Sequence, residues 1–167
     1  MKISTLLYLF LLSGCAATDI SKSNVASDIV GKCYEFTEQG KLLRVEGSDK
    51  ERVMKFTLSY LFLTSESQNH HLKNNDGELV TSLELGTKIK ITKVIDYPYG
   101  SAGRCWVIKA ELLGFDTKGE SVEIPSCWVW DEPIWVTPMS PFMQAIDSNE
   151  QQKLRIATSV LAPSTCS

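Results

Sequence analysis

Residues Arg104–Leu113 and Ser121–Trp130 form two runs of strand-favouring residues around the turn-rich stretch GFDTKG. Each run carries a cysteine, Cys105 and Cys127. Setting those cysteines opposite each other in an antiparallel hairpin determines every other pair. Ile108 then faces Ile124, Ala110 faces Val122, and Lys109 faces Glu123. One face becomes apolar and the other carries an ion pair, as expected of stabilising cross-strand neighbours. A slip of one residue would exchange the faces, so the register is strongly specified. It leaves Phe115-Asp116-Thr117 as a short loop of common hairpin length. Directly opposed residues also have the Cα separation that a cystine requires. A Cys105–Cys127 disulfide is expected, and Cys33–Cys166 follows by elimination. The second bridge would pin the tail to the first strand.

Other segments read as strands too. GKCYEF (Gly31–Phe36) and KLLRV (Lys41–Val45) flank TEQG, a hairpin signal ending in glycine. From Met54 to Thr64 the residues Met54, Phe56, Leu58, Tyr60 and Phe62 alternate with a mixed set, as in a half-buried strand. A helix starting at Ser48, with Glu51 completing a capping box, is the rival reading there. Gly86 turns the chain, and Ile89 and Ile91 then alternate with Lys88, Lys90 and Thr92. Asp96–Arg104 reads as a loop, and PIWVTP as a further strand. Pro125 inside a run indicates an edge or a bulge. Ser140-Pro141 has the form of a helix N-cap followed by proline at the first helical position, so a short C-terminal helix is expected. Leu154–Leu161 fits either helix or strand.

The chain opens with Lys2 and an apolar run, Thr5–Leu12, too short to cross a bilayer, which takes about 20 residues as a helix. It reads as an export signal. The run ends in Leu12-Ser13-Gly14-Cys15, which resembles the lipobox of bacterial lipoproteins. That resemblance implies loss of residues 1–14, acylation of Cys15, and membrane attachment through lipid. Several acyl chains on one residue meet the requirement that stable anchoring takes more than one. Ala16 rather than aspartate after the cysteine implies the outer membrane. Residues 15–28 are mostly small and polar and read as a flexible tether. Residues 29–167 then form a single domain, large enough for a real core.

The formal net charge is −3 and there is no basic tract, so a nucleic-acid partner is not expected. In an exported protein, the four cysteines after Cys15 imply disulfides rather than a metal site. The fold class expected is mainly β, a small barrel or sandwich with two disulfides and the short C-terminal helix. From Leu85 to Trp128, the cadence LGTKIKITKVI, then CWVIKA, then VEIP resembles the strand pattern of bacterial SH3-like barrels. That likeness implies a fold and does not by itself carry a function.

Catalytic signatures are weak. His70 and His71 are adjacent in a polar loop with Glu66 and Asp76 near in sequence, without the helical spacing of metal ligands. No G-x-S-x-G elbow occurs. Asp131 and Glu132 are neighbours before Pro133 and read as a turn rather than as paired glycosidase carboxylates. Neither a cofactor nor enzymatic activity is expected. Aromatics are the stronger signal. Trp106 and Trp128 are assigned to the core wall, and Trp130 and Trp135 to partly exposed positions beside the turn. Tyr97-Pro98-Tyr99-Gly100 resembles the loop with which SH3-like barrels dock extended peptides. Tyr97 and Tyr99, with Trp130 as a third wall, are the candidate ligand contacts. The reading reached is a lipid-anchored envelope module that binds a protein or peptidoglycan-derived ligand. A lysozyme-inhibitor-like or toxin-neutralising lipoprotein and a cell-wall hydrolase are its rivals.

Overall fold

The structure, a computed structural model, describes residues 17–46, 59–65, 78–100, 103–120, 122–126, 135–137 and 153–167. The signal segment with Cys15, the stretch from Met54 to Leu58, the rival helix at Ser48 and the helix expected after Ser140 lie outside them.

The described part is mainly β. In chain order the strands are β1 (Thr18–Asp19), β2 (Cys33–Phe36), β3 (Gly40–Glu46), β4 (Ser59–Ser65), β5 (Glu78–Leu83) and β6 (Lys88–Gly100). They are followed by β7 (Gly103–Leu112), β8 (Val122–Ile124), β9 (Val136–Thr137), β10 (Arg155–Ile156) and β11 (Leu161–Ser164). One sheet runs β11-β2-β6-β7-β8-β4-β3-β5, with β1 added beside β6; β9 and β10 form a small second sheet. A single core cluster draws on all of these strands except β1, whose two residues are exposed. Its members include Phe36, Leu42, Leu63, Ile89, Ile108 and Trp135.

The β7–β8 register agrees with the sequence reading pair for pair: Ile108↔Ile124, Lys109↔Glu123 and Ala110↔Val122. Trp106, Ile108, Ala110, Leu112, Val122 and Ile124 are all buried on the inner face. On the outer face Lys109 Nζ lies 3.8 Å from Glu123 Oε1. The described connection is longer than the expected Phe115–Thr117 loop, because described pairing stops at Ala110↔Val122. It is shaped by left-handed backbone at Gly114, Lys118 and Gly119. The Lys118 N–H donates to Asp116 Oδ1 at 2.8 Å, an Asx turn that supports the unusual φ of 55° at a lysine. Pro125 ends β8, which is an interior strand paired with both β7 and the parallel β4.

Cys33 and Cys166 are joined in a disulfide, as expected. β11 lies antiparallel to β2, with Ser164 opposite Cys33, so the tail is held both covalently and by a ladder. Thus Leu154–Leu161 is neither one helix nor one strand. It contains β10, a turn and the start of β11.

Four expectations are corrected. β2 and β3 do not form a hairpin: β2 lies between β6 and β11, and β3 between β4 and β5. Both edges of β2 are taken by distant strands, and Thr37 N–H donates to Val160 O at 2.9 Å. The glycine of TEQG instead opens β3, opposite Ser65 of β4 and Leu83 of β5. β4 is not half-buried, since Leu61, Phe62, Leu63, Thr64 and Ser65 are all buried. Both of its faces are covered: Leu61 and Leu63 belong to the core cluster, and Phe62, opposite the equally buried Leu43, is buried on the other face. Asp96–Arg104 is not a loop. β6 runs on to Gly100, which pairs with Gly103, so the segment is the end of a long hairpin.

The tether assigned to residues 15–28 is the fourth correction, for the part that is described. Thr18 pairs with Asp96 and Asp19 with Ile95, and the Ile20 N–H donates to Val94 O at 3.0 Å. Val25 and Ala26 are buried in the core together with Ile29. Leu154 N–H donates to Val25 O at 2.8 Å, and Lys153 Nζ to Asp28 Oδ1 at 2.8 Å. Lone apolar residues in a polar stretch show no periodicity. They gain partners only when the C-terminal strands fold across them.

Candidate functional site

The β6–β7 hairpin has the longest strands among the described residues and carries two of the candidate contact residues, Tyr97 and Tyr99. Its inner face is read most simply from β7, where Trp106, Ile108, Ala110 and Leu112 alternate inward. β6 does not keep one phase. Ile89 and Ile91 point inward, and then the register shifts between Ile91 and Lys93. Thr92 is the extra residue of this bulge, and its Oγ1 donates to Lys109 O at 3.2 Å. Beyond it Val94 and Asp96 are the buried residues. An extra residue exchanges the two faces of everything after it. Ile95 and Tyr97 therefore lie on the outer face, where unbroken alternation from Ile89 would have put them in the core.

That outer face has two halves. Near the start of β6 it is a charged ladder. Lys88 is opposite Glu35, Lys90 opposite Glu111, and Lys109 opposite Glu123. Burial pushes the Glu123 carboxyl up, against the opposing pull of Lys109. Towards the hairpin end the charged pairs between β6 and β7 stop, although Asp19 of β1 still borders Ile95 on the other side. Ile95 is opposite Val107 and Tyr97 opposite Cys105. Ile95, Val107 and Cys105 are half-buried, and Tyr97 is 38% exposed. An aromatic ring thus stands on the outside of the sheet beside two aliphatic side chains.

The boundary between the halves is held by Asp19. Its Oδ1 accepts from the Ser21 hydroxyl at 2.6 Å and the Ser21 N–H at 3.0 Å, while Lys93 Nζ lies 3.2 Å from Oδ2. These bonds, with the Ser21 pair contributing most, hold the Asp19 carboxyl down at about 2. Ser21 Oγ in turn accepts from the Val94 N–H at 3.0 Å. The first strand is thereby clamped onto β6 just where the outer face changes character.

Of the other residues singled out in the sequence, Tyr99 lies in β6 by its backbone, while Trp130, Cys127 and Trp128 are outside the described residues, as are His70, His71, Asp131 and Glu132. Trp106 is buried in the core wall, as expected. Trp135, assigned to a partly exposed position, is instead buried at 1% exposure, edge-on to Phe36 with ring centroids 5.8 Å apart. Among the described residues no group of His, Cys, Asp and Glu could hold a metal ion. No described helix is long and apolar enough to cross a membrane.

A shallow hollow of about 390 Å³ lies at the opposite end of β7, among Thr92, Glu111, Phe115, Asp116, Thr117 and Glu120. Glu120, part of its lining, accepts paired hydrogen bonds from Arg44 at 2.8 and 3.0 Å. The hollow is open, and of the carboxylates that line it Glu120 is engaged by Arg44 and Asp116 by the Lys118 N–H.

Comparison with protein-family models, curated proteins and solved structures finds no match for this chain.

Proposed function

We propose that the protein is a bacterial envelope lipoprotein, carried by acyl chains on Cys15 and acting by contact rather than by catalysis. The observation that supports this most is the Cys33–Cys166 disulfide. Stable disulfides belong to exported proteins, and export is what the Lys2, Thr5–Leu12 and lipobox sequence implies. An anchored domain in the outer membrane has envelope proteins and peptidoglycan-derived ligands within reach. Tyr97, together with Tyr99 and Trp130, is the proposed contact surface.

Two finer structural readings belong with this proposal. A Cys105–Cys127 bridge is supported by the β7–β8 register, since Ile108↔Ile124, Lys109↔Glu123 and Ala110↔Val122 are the pairs expected of a hairpin with those two cysteines opposed. An SH3-like barrel is supported by the consecutive antiparallel order of β6, β7 and β8 around one core.

The test is acylation of the full chain in bacterial cells supplied with labelled palmitate. Label is expected in the wild type and absent after Cys15→Ala. Label that persists in the variant would end the lipoprotein reading. Peptide mapping of the unreduced protein should also yield a Cys105–Cys127 peptide; free thiols at both positions would remove that bridge.

A further inference from the structure

The pairing of β1 with β6 says which end of the domain faces the anchor. The two strands are antiparallel, with Asp19 opposite Ile95 and Thr18 opposite Asp96. Moving back along β1 towards Cys15 is therefore moving forward along β6 towards Tyr97 and the hairpin end. Only Ala16 and Ala17 separate Cys15 from Thr18. Three residues span at most about 11 Å when fully extended. Adding the spacing across one strand pair, Cys15 cannot lie more than about 20 Å from Tyr97, whatever path it takes. The opposite end of the hairpin, where Ile89 pairs with Leu112, is roughly 20 Å further away along β6.

The expected tether is thus replaced by a docked strand, and a lipid on Cys15 would hold the domain close. The end nearest Cys15 along the chain is the one where the β6–β7 charged ladder gives way to Ile95, Val107 and the exposed Tyr97, with the Asp19–Lys93 pair at its border. Tyrosine suits the membrane–water interface, because its ring takes the apolar side and its hydroxyl the wet side. The headgroup region is about 5–8 Å deep on each side, which is the reach of one such side chain.

We propose that the Tyr97–Ile95–Val107 face lies against the headgroups of the membrane that anchors the protein, so that the domain has a set orientation on the lipid surface. This rests on acylation of Cys15 and names the partner of the proposed contact surface. The bilayer is favoured over a protein on that face because the strand register and the short chain to Cys15 place it there without a further component.

The test uses the full acylated chain, purified from bacterial cells supplied with labelled palmitate and reconstituted in vesicles of phosphatidylethanolamine and phosphatidylglycerol. The photoreactive residue p-benzoylphenylalanine is placed at position 97 or at position 115. Phe115 is the matched control: it is 39% exposed, beside 38% for Tyr97, and lies beyond the far end of the hairpin. Irradiation should give phospholipid adducts at position 97 in several-fold excess over position 115. In a second variant, a Gly/Ser insert of about ten residues between Cys15 and Ala17 adds roughly 17 Å of reach. It should keep the palmitate label and lose most of that excess. Equal adducts at both positions in palmitate-labelled protein would overturn the orientation and leave the lipoprotein reading standing. Adducts to protein rather than phospholipid at position 97 when intact cells are irradiated would overturn it in favour of a protein partner. Absence of the palmitate label would overturn both.

Discussion

Gly40 sits against the ring of Phe36: a Cβ built at Gly40 would lie 2.6 Å from Phe36 Cε1 and 2.9 Å from Cδ1. The ring has nowhere to go. Phe36 is 1% exposed and meets the buried Trp135 edge-on. Gly40→Ala should therefore cost about 1–3 kcal/mol through overpacking. Urea unfolding measures it. In a Phe36→Leu background the same alanine should cost clearly less. An equal cost in both would mean that the ring is not what excludes a side chain there.

The Cys33–Cys166 bridge closes a loop with a sequence separation of 133 residues. In the chain-entropy account a loop of that size contributes about 4–5 kcal/mol. Replacing both cysteines by alanine should lower unfolding free energy by that order. It should also raise amide exchange along β11, which otherwise keeps its ladder with β2. A loss below about 1 kcal/mol would show that the ladder alone holds the tail.

The clamp at Asp19 has a definite acid limit. Its folded-state carboxyl is depressed to about 2. The stability it contributes is therefore present above the ordinary carboxylate range and is lost as pH falls from that range through about 2. A carboxyl-carbon NMR titration of Asp19 should show its midpoint near 2. Asp19→Asn should speed exchange of the Ile20 amide at neutral pH, because the Ser21 and Lys93 contacts weaken together. A midpoint in the ordinary range would dismiss the clamp.

Glu123 behaves in the opposite sense. Its carboxyl is raised by burial more than Lys109 lowers it. Its charged form is thus disfavoured in the fold, and stability is lost as pH rises through the raised value. Glu123→Gln should raise the melting temperature by about 1–3 °C at neutral pH. The gain should vanish once the medium is acid enough to protonate the wild-type side chain. A drop at neutral pH would mean that the 3.8 Å pair with Lys109 outweighs the burial.

What the sequence alone determined was local and two-stranded. The β7–β8 register was legible because its apolar and charged pairs agree in only one alignment, and a one-residue slip of β8 would turn Glu123 onto the apolar face. The mainly β class followed from short alternating runs, and the Cys33–Cys166 disulfide by elimination among the four cysteines after Cys15 once Cys105 and Cys127 were set opposite each other. The tertiary structure decided everything that depends on distant partners. β2 and β3 look like a hairpin in sequence, but β6 and β11 occupy both edges of β2. The Thr92 bulge reverses the phase of β6, because ladder bonds with β7 have to be regained after one extra residue. Alternation counted from Ile89 would have buried Ile95 and Tyr97, and the bulge puts them outside. Val25, Ala26 and Ile29 have no period to betray them. They become core only because residues from the far end of the chain lie across them, and burial is a property of where two segments meet rather than of either segment alone.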